Sequence, residues 1–158
     1  MTMKVLISAM TALVMVLAVS PMAFASSSVP FGGSAAGTFT MTTTTATATG
    51  TGNFEHMGLT TVSATASFTG ASTCGAFTAT EQDVYTAANG DAISFFINDV
   101  FCSTSSPGVL QVTGSFQVVG GTGRFADATG SGTIQGTATL VTPTSGTFTE
   151  TTTGTISY

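Results

Sequence analysis

Few side chains in this sequence can move a proton, attack a substrate or hold a metal: seven carboxylates, one imidazole, two thiols, one lysine and one arginine. The most promising are Glu81 and Asp83, which alternate along one strand face with Phe77 and Tyr85. With those aromatics turned inward, both carboxylates enter an apolar interior, where desolvation raises their pKa and suits them to general acid or base work. They are the candidate catalytic pair, and the competing reading is a polar bulge at Glu81-Gln82-Asp83. Asn98 and Asp99 follow Phe95-Phe96-Ile97, so one of the two must also face inward. Asn98 is read with Phe68, Tyr85 and Phe116 as the ligand-contacting set.

Other chemistries find no support. His56 stands beside Glu55, but neighbours on a strand face opposite ways, so it reads as a structural or rim histidine. A serine triad would need His56, and no G-x-S-x-G elbow presents a nucleophile. One histidine and two cysteines cannot make a four-ligand zinc site, so no metal is expected. Gly121-Thr122-Gly123-Arg124-Phe125-Ala126 mimics a dinucleotide fingerprint, yet Gly130 and Gly132 leave no room for the helix that must follow, and no cofactor is expected. Arg124 and Asp127, three apart in a tight turn, are expected to form a local ion pair.

The elements that must carry these residues are strands. Thr60, Val62, Ala64, Ala66 and Phe68 share one face, and Leu110, Val112, Gly114, Phe116 and Val118 repeat the pattern, with polar residues between. Val62, Ala64, Phe68, Val112, Phe116 and Val118 are therefore expected inside. Further strands are read at 38–49, 76–87, 92–102, 131–142 and 147–158, with turns at Ser103 to Gly108 and Pro143 to Gly146. About eight strands, each with one polar face, predict an all-β fold. A closed antiparallel up-and-down barrel hides every edge; a β-sandwich is the alternative. The Thr42 to Thr51 tract reads as an ordinary edge or barrel strand rather than a solenoid array, for want of a repeat.

Composition sets the outer limits. Charged residues make up 6% of 158, against about 25% in ordinary globular chains. With Lys4 and Arg124 alone positive, nothing can neutralise a run of phosphates, and nucleic acid is excluded as a partner. Residues 1–25 read as a secretory signal: Lys4, an apolar run from Val5 to Val19, and Ala23-Phe24-Ala25 before Ser26. Processing predicts a secreted or periplasmic chain with no membrane span, a flexible lead-in at 26–36 and a barrel domain at 37–158. In that oxidising space Cys74 and Cys102 are expected to pair, because a hairpin at Ala88-Asn89-Gly90-Asp91, with a primed turn at Asn-Gly, folds their strands together.

The stretch from Gly114 to Gly130, with Val118-Val119-Gly120-Gly121-Thr122-Gly123-Arg124-Phe125, resembles the V-V-G-G-T-G-K-F segment of dirigent proteins. The looser glycine pattern is similar to allene oxide cyclases and their secreted bacterial relatives. Asn53 to Gly58 and Ala87 to Asp91 resemble two further landmarks of those bacterial sequences. The match is specific over some 20 residues and architectural elsewhere. It implies an eight-stranded barrel, typically trimeric, whose lumen holds a small hydrophobic molecule. Thr129 stands where the dirigent pattern has a lumenal arginine, so the resemblance extends to the barrel rather than to radical coupling.

Together these readings predict an exported barrel that binds a small hydrophobic or aromatic ligand without catalysis. An isomerase or cyclase of the allene oxide cyclase kind and a structural surface protein without ligand are the alternatives. A homo-oligomer, most simply a trimer, is expected: Phe95 and Phe96 point to opposite sides, so one of them must lie on the outer wall.

Overall fold

The computed structural model describes residues 27–158, so the expected signal segment lies outside the described residues. Eight strands follow one another: β1 (Val29–Met41), β2 (Thr45–Phe54), β3 (Gly58–Ala71), β4 (Gly75–Ala87), β5 (Ala92–Ser103), β6 (Val109–Gly121), β7 (Thr129–Thr142) and β8 (Ser145–Ser157). Each pairs antiparallel with its neighbour in sequence, and β1 pairs with β8, so the sheet closes into an up-and-down barrel rather than a sandwich. Closure removes the free edges that an open sheet of this length would expose.

Alternation decides which residues enter. On β3, Thr60, Val62, Ala64 and Ala66 are buried while Thr61, Ser63 and Thr65 are exposed. All six residues expected inside face inward; Val62, Ala64, Phe116 and Val118 are buried, and Phe68 and Val112 half-buried. Of the pair on β5, Phe95 is the inward residue and Phe96 the outward, half-buried one.

Two boundaries differ from expectation. The flexible lead-in at 26–36 is largely β1, held by Gly33↔Phe54 on one side and Phe31↔Gly154 on the other, so the barrel begins at Val29 rather than 37. Its inward residues, Phe31, Gly33, Ala35, Gly37 and Phe39, mix glycine with aromatics and leave little hydropathy pattern. The strand read at 38–49 is two strands joined by a turn at Thr42 to Thr44 that has no glycine or proline. The Thr42 hydroxyl accepts the amides of Thr44 (3.2 Å) and Thr45 (3.0 Å), doing the work those residues usually do.

The β4–β5 hairpin falls where Ala88-Asn89-Gly90-Asp91 places it, but through a different turn. The Gly90 amide bonds the Ala87 carbonyl, the Ala87 amide bonds the Asp91 carbonyl, and only Gly90 (φ +90°) takes positive φ. This is a three-residue loop with a glycine bulge, not the two-residue primed turn.

The closed end of the barrel is filled by rings lying over glycines on adjacent strands. Phe54 covers Gly33 and Gly52, and Phe116 covers Gly132 and Gly154, where a Cβ would collide with the ring. Phe31, Phe54, Tyr85, Phe95 and Phe116 then stack on one another, with Phe95 and Phe116 edge to face at 5.4 Å. Each such buried ring contributes about 1.5–3 kcal/mol.

At the opposite end, Cys74 and Cys102 form a disulfide, Cα to Cα 5.0 Å, where β4 and β5 part. It closes a loop of 28 residues, which corresponds to about 3–4 kcal/mol in the chain-entropy account. Thermal melting with and without reductant should show a drop in Tm of several degrees, and the double substitution Cys74→Ala, Cys102→Ala should reproduce it.

Candidate functional site

β4, β5 and β8 bring four carboxylates into the lumen. Along β4 the inward residues run Phe77, Ala79, Glu81, Asp83 and Tyr85 from the disulfide end; β5 adds Asp99 between Ile97 and Phe101, and β8 adds Glu150 between Phe148 and Thr152. The acids thus form a layer between two aromatic ones. Below lies the packed cluster around Phe95. Above, at the mouth, Phe68 and Phe77 sit 4.6 Å apart and Phe77 stacks on Phe101 at 4.4 Å. Between mouth and acids is a cavity of about 100 Å³, lined otherwise by Val62, Ala64, Val112, Ile134 and similar apolar groups.

Burial shapes the electrostatics. Desolvation, then the neighbouring Glu150, pushes Glu81 up to about 7. Desolvation, then Glu81 and Glu150, pushes Asp99 up to about 8; the mutual influence of the two neighbouring carboxyls raises Asp99 and lowers Glu81. Burial and the three other acids hold Asp83 far above the usual carboxylate range. Burial also raises Glu150, opposed by a 2.7 Å bond that the Tyr85 hydroxyl donates to its Oε1. Asp99 lies over Gly114, where any Cβ would displace its carboxylate. Asp83 Oδ1 and Asp99 Oδ1 have no hydrogen-bond partner.

Glu81 and Asp83 are therefore lumenal, not a surface bulge. Phe68 lines the cavity, whereas Tyr85 and Phe116 are fully buried beneath it in the packed floor. Asn98 is on the wrong side: it is exposed on the outer wall, and Asp99, with the parity of Phe95 and Phe101, is the inward member of that pair. Glu150 was hidden in a threonine-rich strand, although its parity with Phe148 and Ile156 marks it as inward.

The remaining polar residues close the far end. His56 Nε2 lies 2.9 Å from the Pro30 carbonyl, and the Arg124 guanidinium donates to the His56 carbonyl. Arg124 pairs with Asp91 at 3.6 Å rather than with Asp127, because the 3-10 turn Gly123–Phe125 buries Phe125 and turns Arg124 across toward the β4–β5 hairpin. That exposed pair contributes little. The three segments that carry the family resemblance meet here, so they build the cap of the barrel rather than its lumen. As the glycines imply, only this short turn follows Gly121. Among the described residues no cluster of His, Cys, Asp and Glu is arranged to hold a metal, and no helix is long and apolar enough to cross a membrane. Protein-family models, curated proteins and solved structures give no match to this chain.

The lumenal carboxyls hold protons more tightly folded than unfolded, so the native state binds more protons and stability falls as pH rises from about 4 through about 7 and 8, the native values of Glu81 and Asp99. Melting followed from about pH 5 to about pH 9 should show Tm declining across this window, and Asp99→Asn should flatten its upper part.

Proposed function

We propose that this protein is an exported barrel of the allene oxide cyclase and dirigent kind that binds a small hydrophobic or aromatic molecule in its lumen and does not transform it. The observation that carries this reading is the division of the lumen. One half is packed solid with rings, and the other is left open, walled by apolar side chains and rimmed by Phe68, Phe77 and Phe101. A protein needing only stability gains by filling such a space, since each missing methylene costs packing. The disulfide supports an extracytoplasmic setting.

The size of the cavity favours a single ring over a long chain that must be folded for cyclisation; an engineered void of ~150 Å³ accepts benzene. Glu81 and Asp99, two proton-holding carboxyls in the cavity wall, favour a second reading, an acid–base isomerase acting on a compact substrate. Turnover lost in Glu81→Gln would establish that reading.

Calorimetric titration with toluene tests the first. Binding should be measurable in the native protein and fall at least tenfold in Val112→Phe, which fills the cavity, with the circular dichroism of the barrel retained. No binding of any single-ring compound would leave a structural surface protein.

The same reading includes a homotrimer, supported by outward Phe96 and Val100 on β5 and Val84 on β4. Light scattering at tens of micromolar should give three times the chain mass, reduced to one in Phe96→Glu; a monomer in the native protein would overturn it.

A further inference from the structure

The groups of the lumen that can carry charge near neutrality are of one chemical kind. Glu81, Asp83, Asp99 and Glu150 are acceptors once ionised, and among the described strands no lysine, arginine, histidine or amide side chain faces them. Two hydroxyls rise from the floor beside them: that of Tyr85 is committed to Glu150, and that of Thr152, on the same face of β8, is bonded to none of the four. β1, β2, β3, β6 and β7 contain no titratable residue at all, so these five groups are the whole ionisable content of the lumen. Asp83 is 3% exposed and Asp99 5%, yet each aims an unpartnered oxygen within this acid layer, and both line the cavity.

A buried acceptor without a donor costs free energy until a donor arrives. Once the carboxyls ionise, no donor of the barrel wall is bonded to these two oxygens, and the aromatic mouth opens above them. A neutral apolar ligand would cover these oxygens without satisfying them, and an anion would be repelled. We propose that the lumen is selective for a small organic ammonium ion, its charged head among Glu81, Asp83 and Asp99 and its apolar body against Phe68, Phe77 and Phe101. This rests on the reading of the lumen as a ligand site and names the ligand class. The rings at the mouth suit such a molecule twice over, as apolar surface for its body and as π faces for a passing cation.

Binding is then exchange. In the empty lumen the carboxyls hold protons near neutrality; an entering ammonium replaces them, and at least one proton leaves for solvent as the cation takes its place. Affinity therefore rises with pH, by up to about tenfold per unit for each proton displaced, until the carboxyls are ionised. Neutral ligands show no such rise.

The test uses the processed chain and four compounds built on one ring: benzylammonium, benzyl alcohol, toluene and benzoate. Titration calorimetry at about pH 8, in two buffers of different ionisation heat, should show benzylammonium binding at least tenfold more tightly than benzyl alcohol, with proton release. At about pH 5 the preference should shrink severalfold. Glu81→Gln with Asp99→Asn should lower affinity for benzylammonium by more than for benzyl alcohol and cut the proton release, with dichroism confirming the fold. Benzyl alcohol or toluene binding as tightly as the amine at both pH values would overturn the cation selectivity while leaving the lumen a ligand site. Preference for benzoate would overturn it too. No binding by any of the four would overturn both readings.

Discussion

The barrel depends on a steric bargain between phenylalanine and glycine. A closed sheet of eight strands has an interior too narrow for large side chains at every level, and too wide for small ones alone. Here the problem is solved by pairing: Phe54 across from Gly33, Phe148 across from Gly37, Phe39 across from Gly146, Phe116 across from Gly132. Each ring occupies the space that a Cβ on the facing glycine would need, so the core fills from one side at a time. Register is fixed as a result. A slip of one residue would turn the rings outward and set the threonines inward.

Within that frame the acid layer is a deliberate expense. Four carboxyls occupy positions where alanine or valine would pack without desolvation, and Gly114 is kept bare so that Asp99 has room. Burial makes these carboxyls retain protons, and no counter-ion is supplied; the one arginine among the described residues sits at the capped end, paired with Asp91. Buried groups of this sort detract from stability and persist where function requires them.

Much of this was legible in the sequence, for identifiable reasons. Strict alternation over Thr60 to Phe68 and Leu110 to Val118 revealed strands and their inner faces, and Asn89-Gly90 located the hairpin that unites the cysteines. Glu81 and Asp83 could be placed inward because Phe77 and Tyr85 flank them at the same parity. Where glycine substitutes for an apolar residue, as along β1, alternation disappears from hydropathy even though it persists in space. Where threonine hydroxyls make a turn, as at Thr42, no breaker residue announces it. Asp99 and Glu150 were within reach: carrying the parity of Phe95 through to Phe101, or of Phe148 through to Ile156, assigns both.

The loops at the mouth stand apart from the acid layer. Thr42 to Thr44, Ser72 to Cys74, Thr104 to Gly108 and Pro143 to Thr144 connect the strands above the cavity, while every lumenal carboxylate is borne by a strand below them. Insertions or substitutions in these connections would reshape the mouth while leaving the acid layer in place. Mouth and acid layer are thus built from separate stretches of chain, and the disulfide ties β4 to β5 at the mouth whichever of the two is altered.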